Sequence, residues 1–105
     1  MTKVRFLTQG SLIIGFEITG HSTTDENDQM GRLVCSAVSS AAYMAANTLT
    51  EIVGAQVDAK VNDAIMHITV KSKLNESQIT LAGLKLHMCE LSKQYTTNVK
   101  VITEV

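Results

Sequence analysis

The sequence predicts an α+β domain, with two helices on one face of a largely antiparallel sheet, in the order ββαββαβ. Three observations predict it. Two pairs of segments alternate apolar and polar residues across short turn signals. Each pair is followed by a long proline-free stretch whose apolar residues recur at helical spacing, and the chain closes on one more alternating segment.

Val4, Phe6 and Thr8 alternate with Lys3, Arg5 and Leu7, which predicts a first strand. Gln9, Gly10 and Ser11 make a tight connection in which Gly10 tolerates a positive φ. Leu12, Ile14, Phe16 and Ile18 then alternate with Ile13, Gly15 and Glu17, completing a hairpin. Gly20 to Gly31 has few apolar residues and holds Asp25, Glu26 and Asp28, so a surface loop is expected. A helix is predicted from Leu33 to Ile52, with Val34, Val38, Ala41, Ala45 and Leu49 in one stripe, widened by Leu33, Ala37 and Met44. Gly54 is its expected C-cap.

Val57, Ala59 and Val61 predict a third strand, and Asn62-Asp63 turns the chain into a fourth carrying Ala64, Met66, Ile68 and Val70 on one face. Asn75 is the expected cap of a second helix, with Glu76 in its first turn and Gln78 at its third position. Ile79, Leu81, Leu84, Leu86, Met88 and Leu91 belong to its apolar surface. Val99, Val101 and Val105 mark the last strand.

A chain of 105 residues with two Phe, two Tyr and no Trp makes one domain, residues 1–105, around a modest aliphatic core. So small a core favours a homodimer. The net charge of −1, with nine basic side chains spread out, argues against direct nucleic-acid binding. Low aromatic content also removes the stacking platforms of many single-strand RNA binders. No run approaches a membrane span, and Met1 to Arg5 lead straight into a strand rather than a signal-peptide core. A cytoplasmic location is expected, with Cys35 and Cys89 both reduced.

The chemistry gathers at Gly20-His21 and at Leu33-Val34-Cys35-Ser36-Ala37-Val38-Ser39. Cys35 is expected in the first turn of its helix, where free amides and a nearby imidazole favour the nucleophilic thiolate. Amides around Gly31 to Ser36 are candidates to hold an oxyanion. The bland alternative is a packed helical cysteine. His21, at the end of the second strand, is the candidate general base, since imidazole titrates near neutrality. Its alternative is a loop histidine bonded to backbone. Ser39, Ala42 and Ala46 flank the cysteine with small side chains. Asp25 and Asp28 are candidates to orient His21, or are simply solvated. Ser36 is expected to bond locally, His67 to be solvent-exposed, and His87 and Cys89 to have no catalytic part. Metal-binding spacings and a phosphate loop are absent, so neither metal nor cofactor is expected.

At these residues the chain resembles the bacterial ribosomal-processing cysteine protease family. The resemblance also extends to the order of elements along nearly the whole chain. It implies a homodimeric cytoplasmic endopeptidase with no cofactor, whose nucleophile corresponds to Cys35 and whose catalytic histidine corresponds to His21. The implied partner is the precursor of a large-subunit ribosomal protein, the one numbered twenty-seven, whose short N-terminal extension is removed by a cut after phenylalanine. One departure is visible: the family commonly has an aspartate just before the apolar pair preceding the cysteine, and this chain has Arg32. The competing readings are a dimeric ribosome-associated interaction module without activity and an RNA-binding module.

Overall fold

The computed structural model describes residues 1–20, 28–63 and 65–104. The predicted order is observed: β1 (Thr2–Gln9), β2 (Leu12–Thr19), α1 (Gln29–Asn47), β3 (Val57–Val61), β4 (Ile65–Val70), α2 (Leu74–Gln94) and β5 (Val99–Glu104). The strands form one sheet in the order β3-β4-β2-β1-β5. Neighbours are antiparallel except β1 and β5, which run parallel. His21 and Asp25 lie outside the described residues, as do Ala64 and Val105.

The core is the layer between the sheet and the helices. Val4 and Phe6 of β1, Phe16 of β2, Ile68 of β4 and Val99 of β5 are buried against Val34, Val38, Ala42 and Leu49 of α1 and Leu81 and Met88 of α2. Alternation along the strands puts every second side chain on this layer, and one row per helix completes it.

Three local features differ from the sequence expectation. The pairing of β1 with β2 shifts between Leu7 and Thr8, so that Thr8 faces Ile13 while Leu7 faces Gly15. This bulge at Ile14 reverses the alternation, and Ile13, rather than Leu12 and Ile14, packs against the core. The first helix starts earlier than expected and ends in a π-helical turn, Thr48–Val53, closed by Gly54 at φ +76°. Its inward row adds the buried Ala42 beside the half-buried Ala41, which also packs against the core, whereas Leu33 and Met44 are 60% and 70% exposed. In α2, likewise, Ile79 and Leu86 are exposed. Each helix thus carries a second apolar stripe that the sheet does not cover.

Asn75 does not cap α2, because it is already inside the helix. The N-cap position is Lys73, at φ +50° with no side-chain cap, and the Ser77 hydroxyl donates to its carbonyl at 2.8 Å. Gln78 docks the helix onto the sheet instead. Its Nε2 donates to the Ile13 carbonyl at 2.8 Å, and its Oε1 accepts from the Ile13 N–H at 2.8 Å. Ile13 precedes the first β2–β4 pair, Gly15 with Thr69, so the amide stands in for the missing strand neighbour. No helix among the described residues is long and apolar enough to cross a membrane.

Candidate active site

Asp28 organises the start of α1. Its Oδ1 accepts from the Gly31 N–H at 2.9 Å, and its carbonyl accepts from the Arg32 N–H at 3.2 Å. An aspartate immediately before a helix is the signal that would have located this start, because its carboxylate satisfies an otherwise unpaired amide. Helix α1 therefore begins at Gln29, and Cys35 is its seventh residue, in the second turn rather than the first. This changes the expected chemistry. The amides of Gly31 and Arg32 are occupied by Asp28, and those further along point back to carbonyls within the helix. The run from Gly31 to Ser36 is thus not an open oxyanion cradle. Cys35 thus also lies beyond the first turn, where the helix dipole acts most strongly.

Cys35 is half-buried and lines a cleft of about 100 Å³ between α1 and the sheet. Gly20, at the end of β2, lines the same cleft, as do Ser39 and Tyr43 of α1. Gly20 is required where it stands. Its φ is +77°, and a Cβ there would come within 2.6 Å of the Met1 carbonyl oxygen. The backbone that leads into His21 thus turns at a position that tolerates no side chain. Of the small flank expected beside the cysteine, Ser39 lines the cleft, whereas Ala42 is fully buried in the core. Tyr43 and the β3–β4 turn are cleft residues that reading the sequence missed. The alternation pattern places a hairpin but does not say which helix face its tip will meet.

The remaining candidates are elsewhere. His67 is not simply exposed. Its Nδ1 lies 2.8 Å from Glu17 Oε2 and its Nε2 lies 3.0 Å from the Thr69 hydroxyl. Arg5 bonds the other oxygen of Glu17 at 2.8 Å, so these side chains form a cross-strand row on the sheet face opposite the helices. His87 lines a separate groove between α1 and α2. Cys35 and Cys89 are both free thiols. Arg32 is exposed, and the carboxylate nearest to it in sequence, Asp28, is engaged in capping. Among the described residues no cluster of His, Cys, Asp or Glu is placed to hold a metal ion.

A family model, described as cysteine protease Prp, matches residues 1–100. The chain belongs to the Prp cysteine protease family. A Prp protease is a thiol hydrolase, which agrees with a half-buried cysteine facing a cleft. The fold is shared with the essential ribosomal processing protease Prp of S. aureus, solved with a covalently linked product peptide: 17% identity, TM-score 0.87, over 99% of this chain and all of that one. The same S. aureus protease with a substrate peptide gives 16% identity and TM-score 0.87 over the same coverage. A Streptococcus mutans protein is 21% identical at TM-score 0.84, over 99% of this chain and 96% of that one. No curated protein matches the chain.

Proposed function

We propose that this Prp protease removes a short N-terminal extension from the precursor of the large-subunit ribosomal protein numbered twenty-seven, cutting after phenylalanine in the cytoplasm. The Cys35 thiolate attacks the scissile carbonyl and expels the new N-terminus as an amine, leaving a thioester that water resolves. His21 takes the thiol proton and delivers it to the departing amine. The observation that supports this reading is the cleft shared by Cys35 and Gly20, because the residue after Gly20 is the proposed base. Purified protein incubated with the extended ribosomal protein is expected to give one new terminus after phenylalanine, read by mass. Cys35→Ala protein is expected to give none. Binding by the wild type without cleavage would favour a non-enzymatic module.

The second apolar stripe supports a homodimer. A groove of about 670 Å³ runs between the helices, floored by small residues including Ala37, Ala41 and Gly83. Met44 and Ile79 stand at its rim, 70% and 86% exposed. Projecting side chains beside a recess on one surface can fit a rotated copy of that surface, as an isologous interface requires.

A further inference from the structure

We infer that the sheet face turned away from the helices is a docking surface for the phosphate backbone of duplex RNA. The charge of the face points to a polyanion. Its open, ring-free surface, together with the ribosomal substrate proposed above, points to RNA.

The nine cations are dispersed along the sequence but not in the fold. Register places Lys3 beside Lys100, Arg5 beside Glu17, Glu17 beside His67, and His67 beside Lys60. These residues alternate with the inward-facing core positions of their strands, so they share the outer face. Lys71, just past β4, joins them through Asp58, its Nζ standing 3.4 Å from Asp58 Oδ2. Five of the nine cations therefore lie on one face, with three of the ten acids: Glu17, Asp58 and, by register, Glu104 beside Leu7.

Two of those acids are already engaged. Arg5 and His67 hold Glu17, each at 2.8 Å, and Lys71 holds Asp58. Among the described residues, Lys3, Lys60 and Lys100 are exposed and have no ion-pair partner. Lys3 and Lys100 stand side by side, a like-charge pairing that costs stability until an anion lies between them. The rest of the chain carries the other four cations against seven acids, so the excess of positive charge belongs to this face.

The make-up of the face narrows the partner. Among the described residues, no large exposed apolar side chain occupies an outward strand position, and the aliphatic Leu7, Ile65 and Ile102 there are half-buried. Such a face has no apolar centre for a protein interface or for entry into a lipid surface. Phe6 and Phe16 are buried on the opposite face, and Tyr43 and Tyr95 lie outside the sheet, so no ring is available for base stacking. A duplex is read through its backbone instead, and the wide, shallow minor groove of an RNA helix opens both strands to a broad surface. Five strands span about 19 Å, and a duplex carries a charge about every 1.7 Å of its axis, so one helix laid across the face meets the lysines of both edges.

Fluorescence anisotropy on the full chain, with a labelled RNA duplex of roughly 16 base pairs, tests the face. Affinity should fall with salt at a log–log slope of about −3, or about 40-fold between roughly 50 and 200 mM, as three phosphate contacts give. Lys3→Gln, Lys60→Gln and Lys100→Gln together should weaken binding about tenfold or more and reduce the slope by about 1 per lysine. Arginine at the same three positions should keep binding. Arg32→Gln, Lys85→Gln and Lys93→Gln together remove the same charge from the helices and should leave binding near that of the wild type. A DNA duplex of the same sequence should bind less tightly, because its minor groove is narrow and deep. Equal loss in the two glutamine triples, equal binding of DNA, or no RNA binding at low salt would overturn the assignment. Capture by phosphatidylglycerol vesicles or by polyglutamate in place of RNA would do the same. Cleavage of a short peptide is a separate readout, expected to be the same in the wild type and the face triple. RNA binding by a protein that cleaves nothing would uphold the face and sink the proteolytic reading, and cleavage without RNA binding would do the reverse.

Discussion

Helix α1 borders two depressions of very different size. The groove toward α2 measures about 670 Å³ and the cleft toward the sheet about 100 Å³. The larger one is apolar, floored by small residues, and its titratable side chain is His87, with no cysteine in its lining. The smaller one holds the Cys35 thiol, the end of β2 and a pinned hairpin turn. On the proposed role of Cys35, the larger volume is therefore not the catalytic one. A nucleophile needs a general base within reach, and the smaller cleft joins the cysteine to the strand end that precedes the proposed base. The larger groove suits a partner surface, which needs area and shape rather than reactive groups.

The sharpest way to break this comparison is to remove the nucleophile. Cys35→Ala should lower kcat/KM by on the order of 10⁴-fold or more, as loss of a covalent nucleophile does elsewhere. Alanine is a good helix former, so thermal unfolding should change little. His87→Ala, in the larger groove, should leave kcat/KM nearly unaltered. If the two variants exchanged these outcomes, the assignment of the depressions would be reversed.

A charge placed in the larger groove should have its effect on assembly. Met44→Lys or Ile79→Lys juxtaposes like charges across a two-fold interface, weakening self-association by about 100-fold or more. Both side chains are exposed in the single chain, so the monomer should lose no more than about 0.5 kcal/mol. Sedimentation over a range of concentrations reads the association directly. A wild-type protein that stays monomeric at high concentration would remove the dimer reading of this groove.

In the cleft, Gly20→Ala meets both the Met1 carbonyl and an unfavourable φ. Strain of this kind costs about 1–3 kcal/mol, and relieving it moves the strand end that leads to His21. We expect about a tenfold fall in kcat/KM, with a lower unfolding midpoint. Unchanged activity in a destabilised protein would mean that the Gly20 turn does not position the base.

Much of this architecture is legible in the sequence, because periods of two and of roughly three and a half place seven elements in their order. The bulge at Ile14 is not, since the three apolar residues Leu12, Ile13 and Ile14 in a row fit either face until Gly15 is pressed against β4. A Cβ at Gly15 would collide with the Ile68 carbonyl oxygen, which fixes that register. Nor does periodicity separate the two apolar stripes of α1. Val38 and Met44 are both apolar residues of that helix, and only the position of the sheet decides that one is buried and the other exposed. At the site, Cys35 and Gly20 were readable as residue types in adjacent segments. The rest of the cleft was not, because Tyr43 of α1 and Val61 of β3 come to line it together only through the tertiary fold.

The smallest expected effect sharpens the account of the cleft, and it concerns Asp28. Its carboxylate caps α1 through Gly31, so Asp28→Ala should cost about 1 kcal/mol and fray the first turn, one turn before Cys35. Asp28→Asn keeps an oxygen acceptor at the cap but removes the charge. If capping is the whole role, the asparagine variant should match the wild type in both unfolding midpoint and kcat/KM. If the charge of Asp28 also steadies the imidazolium that forms on His21 during acyl transfer, the asparagine variant should keep its stability and lose activity, most visibly in the acid limb of the pH–rate profile. Arg32 is in the first turn that Asp28 caps, so Arg32→Asp, which puts a carboxylate back into that turn, is the companion substitution. Activity lost in Asp28→Asn and regained in Asp28→Asn with Arg32→Asp would assign a role in activity to negative charge at the start of α1. Full activity in Asp28→Asn would confine Asp28 to the helix start.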